Sequence, residues 1–173
     1  MRVIKKRDKF IFILLSMLLS SPALARLDVL GWLEWAYLQP GSVRVKAKLD
    51  TGARTSSIHA INIEPFKIND EDWVRFTLPD LIYKKNGSVK AIEVEKPIIR
   101  ETKIKEHIGE SVSRYVVEIE FCLGGENYLT PVTLSDRSSF NYPLLLGRMT
   151  LKGNFLVDAD KIFLANRLCL LNN

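Results

Sequence analysis

The sequence predicts an all-β domain with one short helical turn near its C-terminus. Three observations carry this: the alternation of apolar and basic residues in Val43-Arg44-Val45-Lys46-Ala47-Lys48-Leu49, a Gly124-Gly125 pair between two β-rich runs, and turn residues between most other apolar segments. In order, Val29 to Leu38 is a strand rich in Trp, Leu and Tyr, and Val43 to Leu49 is the alternating one. Trp73 to Leu78 is a short strand closed by Pro79-Asp80, and Ser88 to Val94 is another. Tyr115 to Leu123 turns at the glycine pair and returns as Tyr128 to Leu134. Gly147 to Gly153 is the helical turn. Phe155-Leu156-Val157 and Ile162-Phe163-Leu164 read as a last hairpin around Asp158-Ala159-Asp160.

The first 25 residues form a different kind of segment. Arg2, Lys5, Lys6, Arg7 and Lys9 precede an apolar run from Phe10 to Leu19, followed by Ser20-Ser21-Pro22-Ala23-Leu24-Ala25. A basic start, an apolar stretch and a small-x-small ending make a secretory signal peptide, with cleavage expected after Ala25. The run is short for a membrane span, so no stable span is expected after cleavage, and the mature chain is expected in the periplasm or outside the cell. Cleavage removes five basic residues and Asp8, four of the formal +5 charges, and leaves the mature chain near +1. That balance supplies no broad basic footprint for nucleic acid, and Lys84-Lys85 and Lys103 with Lys105 read as solvated edges or loops. Residues 26–173 are enough for one domain and too few for two ordinary ones.

Two features stay open at this stage. Residues 84–114, with their charged run through Arg100, Glu101, Lys103, Lys105, Glu106 and His107, read equally as a cover over a cleft or as an exposed hairpin. Cys122 and Cys169 read either as a disulfide in an oxidising compartment or as two small buried thiols.

The chemistry concentrates in Asp50-Thr51-Gly52-Ala53, which directly follows the alternating strand. A carboxylate on a tight loop at a strand end, with a hydroxyl beside it and a glycine that admits close backbone approach, is the local equipment of an aspartic peptidase. Taken alone, the tripeptide also suits an Asx-type turn. A second block, Leu144-Leu145-Leu146-Gly147-Arg148, lies downstream.

The surroundings of both blocks extend the pattern. Ala47 through Ala60, Ser135-Asp136-Arg137-Ser138, Pro143 through Arg148 and Phe155-Leu156-Val157-Asp158, with Gly31-Trp32-Leu33-Glu34-Trp35 at the start, together resemble the bacterial retropepsin-like aspartic peptidase family often labelled "putative ATP-dependent zinc protease". The resemblance covers nearly the whole mature chain. It implies a retropepsin-like acid-protease β-barrel in which the Leu144 to Gly147 strand passes behind the Asp50 loop and Gly147 allows the close approach. It implies Asp50 as the catalytic aspartate, Thr51 and Gly52 as its supporting loop with Ala53 beside them, and Arg148 as the residue after the glycine. Asp136, Arg137 and Asp158 match further family positions, for which an Asp136–Arg148 or Arg137–Asp158 ion pair and substrate contact are equally reasonable roles.

One Asp-Thr-Gly per chain is half of a two-carboxylate site. The resemblance implies that two copies supply both halves: in a homodimer the Asp50 loops meet on a two-fold axis, the like charges cannot both ionise, and one carboxyl serves as acid and the other as base. Thr51 would hold the paired loops through its hydroxyl. A single chain becomes competent only if Asp136 or Asp158 folds next to Asp50. The expected partner is a polypeptide or peptide-like substrate, including a non-ribosomal amide, since members of the family are associated with glutamate-ligase genes. No cofactor is expected. The sequence lacks a phosphate-binding Gly-rich Lys-Ser/Thr loop and a His-Glu-x-x-His, and its histidines, His59 and His107, are far apart. The reading from a different class is a noncatalytic binding module on the same fold, in which the Asp50 loop is only a turn.

Overall fold

The computed structural model describes residues 27–39, 43–79, 91–105, 111–165 and 169. The strands are β1 (Asp28–Leu38), β2 (Val43–Asp50), β3 (Ser56–His59), β4 (Ile61–Ile68), β5 (Glu71–Leu78), β6 (Ile92–Pro97), β7 (Arg100–Lys105), β8 (Ser111–Leu123), β9 (Glu126–Ser135), β10 (Leu144–Gly147) and β11 (Phe155–Ile162). One short helix, α1 (Arg148–Leu151), follows β10. The signal segment, Lys84-Lys85 and His107 lie outside the described residues.

Eight strands form one sheet in the order β11-β1-β2-β10-β3-β9-β8-β7. Two further pairs, Tyr37 with Cys122 and Leu38 with Phe121, join β1 to β8 and close six of these strands into a ring, leaving β11 and β7 as additions outside it. Closure fits the alternation in β2. Val43, Val45, Ala47 and Leu49 are buried toward the ring interior, where they meet Leu144, Leu146, Ile58, Val132 and Leu134. A second sheet of β4, β5 and β6 packs Val74, Phe76 and Leu78 into the same core. The sequence reading passes over β4 because Asn62 and Pro65 interrupt it. In the fold Asn62 takes a positive φ at a register shift, and Pro65 is tolerated because β4 is an edge strand. The described part of the charged stretch is regular: β7 and the start of β8 pair antiparallel from Arg100–Val116 to Lys105–Ser111.

The C-terminal hairpin expected around Asp158-Ala159-Asp160 is absent. Phe155 to Ile162 is one strand running parallel to β1, with Asp158 opposite Gly31 and Ile162 opposite Leu33. The turn chemistry is real, since Asp158 Oδ1 accepts the Asp160 N–H at 2.9 Å, but it makes a bulge instead of a reversal. Gly31 permits it: a Cβ there would lie 2.5 Å from the Lys161 carbonyl oxygen.

After β11 the chain is tied back to the ring. Phe163 N–H donates to the Leu33 carbonyl at 2.8 Å, and its ring stacks on Trp35 at 5.4 Å. Cys169 is disulfide-bonded to Cys122 at the β1–β8 seam, which decides between the two cysteine readings. The segment after β11 is also held by Glu34, 1% exposed, whose Oε1 accepts N–H groups from Gly31 and Leu164, both at 2.7 Å, and whose Oε2 accepts from Ala165 at 3.2 Å. Those bonds satisfy a carboxylate that would otherwise be costly to bury. Glu34→Gln turns an amide donor toward backbone donors, so it is expected to lower stability by about 1–3 kcal/mol, read as a lower urea midpoint with an unchanged slope.

Candidate active site

The site follows from how β10 is threaded. It lies between β2 and β3, parallel to the first with Gly147 opposite Asp50, and antiparallel to the second with Leu145 opposite Ser57. The loop from Thr51 to Thr55 therefore arches over the end of β10. A Cβ on Gly147 would stand 2.5 Å from the Thr55 carbonyl oxygen and 2.9 Å from Thr55 N, so only glycine fits under the loop.

Three sets of bonds fix the loop. Asp50 Oδ1 accepts from Gly52 N at 2.9 Å and Ala53 N at 3.2 Å, an Asx-type turn. A Cβ on Gly52 would already press on that oxygen at 3.1 Å. From the other side, Arg148 N donates to the Ala53 carbonyl at 2.9 Å and Met149 N to the Arg54 carbonyl at 3.1 Å. The Arg148 guanidinium spans the tip, with Nη1 donating to the Thr51 carbonyl at 2.8 Å and to the Gly52 carbonyl at 3.0 Å. Below, Ser56 Oγ accepts the Gly147 N–H at 3.0 Å and joins a buried hydroxyl chain through Thr150 to Thr130, at 2.6 and 2.7 Å.

Asp50 is thus held with one oxygen in the loop. The other, Oδ2, meets Lys48 Nζ at 3.1 Å, two residues back on the same strand face. Burial pushes the Asp50 carboxyl upward, but the Lys48 hydrogen bond, the Gly52 N–H, the Lys48 charge and the Ala53 N–H outweigh it and hold the group below its ordinary 3.8. A carboxyl with a depressed folded-state value adds stability above its unfolded value and loses it as pH falls through the folded one. Carboxyl NMR of the isolated chain is expected to show Asp50 titrating below 3.8, and Lys48→Met is expected to raise that midpoint.

The remaining predicted residues divide. Thr51 and Gly52 are exposed at the tip, and Thr51 contributes its carbonyl to Arg148. Asp136 is on the surface, where its Oδ1 accepts the Ser138 N–H at 2.9 Å. That bond leads the causes that hold its carboxyl below the ordinary value. Its 3.6 Å approach to His59 Nδ1 is not an ion pair, because Nδ1 accepts the Arg137 N–H at 2.8 Å and so carries no proton. Arg137 is buried and bonds Ser57 Oγ and the Tyr142 carbonyl. Asp158 sits in the β11 bulge. Neither the Asp136–Arg148 nor the Arg137–Asp158 ion pair forms: Arg148 is spent on the loop carbonyls, Arg137 on Ser57 and Tyr142. No hydrogen bond links either Asp136 or Asp158 to Asp50: Asp136 bonds the Ser138 N–H and Asp158 the Asp160 N–H, while Asp50 bonds Gly52, Ala53 and Lys48. Among the described residues no three His, Cys, Asp or Glu side chains converge as a metal site would require.

A groove of about 550 Å³ opens beside the loop, with Met149, Leu151, Phe155 and Leu156 as apolar lining and Arg54, Arg148 and Lys152 as cations.

The family model for the retropepsin-like aspartic endopeptidase RimB matches residues 29–167. This chain belongs to the RimB-like family. The motif resemblance and the retropepsin-like all-β fold are therefore shown together. Relatives of this RimB-like chain include a probable alpha-L-glutamate ligase of Shewanella pealeana, 39% identical over 136 residues that make up 78% of this chain and 29% of that protein. Another of the same description, from Parasynechococcus marenigrum, is 33% identical over 138 residues, 79% of this chain and 29% of its own. The RimB-like chain thus spans under a third of the length of these relatives. A crystal structure of protein Lpg0085 from Legionella pneumophila, described as of unknown function (DUF785), superimposes with a TM-score of 0.67 at 32% identity, covering 80% of this chain and 98% of that one.

Sequence reasoning about the RimB-like chain missed Lys48, Ser56, Ser57 and Thr150. For Lys48 a signal existed: in an alternating strand, position i−2 shares a face with Asp50. The hydroxyl chain had none, since Ser56, Thr130 and Thr150 meet only through tertiary packing.

Proposed function

We propose that this chain is an exported aspartic endopeptidase that hydrolyses an amide bond of a peptide-like substrate, using water activated between the Asp50 carboxylates of two copies. The observation that carries the reading is the Asp50 loop itself: a carboxylate fixed by its own backbone, by Arg148 and by Gly147, beside an exposed tip, with no second acid bonded to it among the described residues. Two tips meeting on a two-fold axis would supply the missing partner, one carboxyl deprotonating the water and the other protonating the amide carbonyl oxygen. Thr51 is exposed at the tip and would join such a contact, and the groove with exposed Met149 and Leu156 offers adjoining apolar surface.

Export is supported by the signal-type N-terminus and by the Cys122–Cys169 disulfide, a bond favoured in oxidising compartments. The relatives' name supports a substrate rich in glutamate, because an enzyme that makes glutamyl amide bonds and one that cuts them act on the same linkage. Arg54, Arg148 and Lys152 beside the loop suit such an anionic chain. The alternative, a noncatalytic binding module, is favoured by the Lys48 contact, which neutralises Asp50 within one chain.

The test combines cleavage of a peptide library that includes glutamate-rich members with sedimentation of the mature chain. Cleavage accompanied by dimerisation, and by a split Asp50 titration with one step above the ordinary carboxylate range, is the expected result. A monomer with one low Asp50 midpoint and no cleavage would replace the reading with the binding module.

A further inference from the structure

The sheet face that carries Asp50 also carries a buried cation with an unused donor. Lys48, Leu145 and Ser57 stand opposite one another across β2, β10 and β3. Facing residues of paired strands project to the same side. Their chain neighbours Leu49, Leu144, Leu146 and Ile58 are buried, so Lys48, Leu145 and Ser57 mark the outer side, and Asp50, two residues beyond Lys48, shares it.

Arg137 reaches this face from the segment after β9. Its Nη1 donates to Ser57 Oγ at 2.8 Å, its Nε to the Tyr142 carbonyl at 3.3 Å, and its guanidinium lies over the Phe140 ring at 4.6 Å from the centroid. The residue is only 8% exposed, yet no acid among the described residues forms an ion pair with it. Among the described residues its third nitrogen, Nη2, has no hydrogen-bond partner, and it is not among the polar atoms sealed from solvent. Asp50 is the carboxylate whose field reaches Arg137, while burial and the nearby Arg114 act against its charge. Burying a guanidinium without a counter-ion is unfavourable, and an arginine held rigidly on two nitrogens presents the third in a fixed direction. From β2 to β3 is two strand spacings, about 9–10 Å with β10 between them, so an extended substrate segment lying over Leu145 would reach both Asp50 and Arg137.

We propose that Arg137 binds a carboxylate of the substrate next to the bond that Asp50 attacks, with Nη2 as the donor. The inference rests on the reading of Asp50 as the reacting group, but the binding can be measured without turnover. The carboxylate belongs either to an acidic side chain or to the C-terminus of the peptide.

The experiment uses the mature Asp50→Asn protein and three labelled peptides of equal length: an acidic one with an amidated C-terminus, its glutamine counterpart amidated, and the glutamine counterpart with a free C-terminal carboxylate. Fluorescence anisotropy is expected to show the acidic peptide binding about tenfold more tightly than the amidated glutamine peptide, with that advantage lost on Arg137→Gln. If the free-terminus peptide carries the Arg137-dependent advantage instead, the carboxylate is terminal and the assignment of Arg137 stands. An advantage that survives Arg137→Gln, or equal weakening of all three peptides in a folded variant, overturns it, as does absence of binding by any carboxylate peptide. Should Arg137→Gln fail to fold, the Nε–H resonance of Arg137 in labelled Asp50→Asn protein decides. A shift with a carboxylate peptide and none with the amidated glutamine peptide is expected, and an unmoved signal at saturation overturns the proposal. Cleavage by the native chain is scored separately: Arg137-dependent binding without cleavage removes the peptidase reading alone, and Arg137-independent cleavage removes this inference alone.

Discussion

Replacing Asp50 with asparagine is expected to lower amide hydrolysis by about a thousandfold or more while leaving the fold intact. The separation of the two effects comes from the geometry. Asparagine keeps a carbonyl oxygen where Oδ1 accepts the Gly52 and Ala53 N–H groups, so the loop retains its internal bonds. What it loses is the ability to take a proton from water and the 3.1 Å pairing with Lys48. That pair lies between side chains 40% and 24% exposed, and contacts of this kind are worth at most about 1 kcal/mol. Asp50→Ala, by contrast, removes the loop acceptor as well and confounds chemistry with structure. The check is a single assay of peptide cleavage beside a urea unfolding curve for both variants. An Asp50→Asn protein that is folded and still cleaves would end the assignment of Asp50 as the reacting group.

The largest stability effect is expected at Gly147. Gly147→Ala places a Cβ 2.5 Å from the Thr55 oxygen, 2.6 Å from its carbonyl carbon and 2.9 Å from its nitrogen, all backbone atoms that cannot swing aside. Relief requires moving the loop off β10. That breaks the Gly147 N–H bond to Ser56 and the Arg148 and Met149 bonds to the Ala53 and Arg54 carbonyls. A loss of more than about 3 kcal/mol is expected, enough to leave much of the protein unfolded if its total stability is ordinary. Gly153→Ala is the control. Gly153 has φ +81° and nothing within 4 Å of a Cβ, so only its left-handed backbone resists, at about 1–2 kcal/mol. Equal unfolding midpoints for the two variants would refute the close-approach argument.

These two positions also show what was legible. Asp50 was visible because strand alternation and loop chemistry are local: Val43 to Leu49 declares its two faces, and Asp-Thr-Gly supplies its own turn. The role of Gly147 was visible through the family pattern, although the atoms it must avoid belong to Thr55, 92 residues earlier in the chain. In the sequence Arg148 is only the residue after a glycine, and its grip on the Thr51 and Gly52 carbonyls depends on the threading of β10 beneath the loop. The C-terminal strand was misread because Asp158-Ala159-Asp160 has the composition of a turn. Whether such residues reverse a chain or bulge a strand depends on the neighbour, and here Gly31 of β1 makes room for the bulge.

Short-range physics makes four features readable from residue order: the all-β class, the faces of β2, the hairpin at Gly124-Gly125 and a carboxylate on a self-bonded loop. Which other polar residues share the sheet face of that carboxylate depends on long-range packing. Arg137 and Ser57 come to its sheet face while Asp136 and Asp158 bond within their own turns, because cross-strand register and strand insertion bring together residues separated by up to 97 positions, and no local pattern encodes that separation.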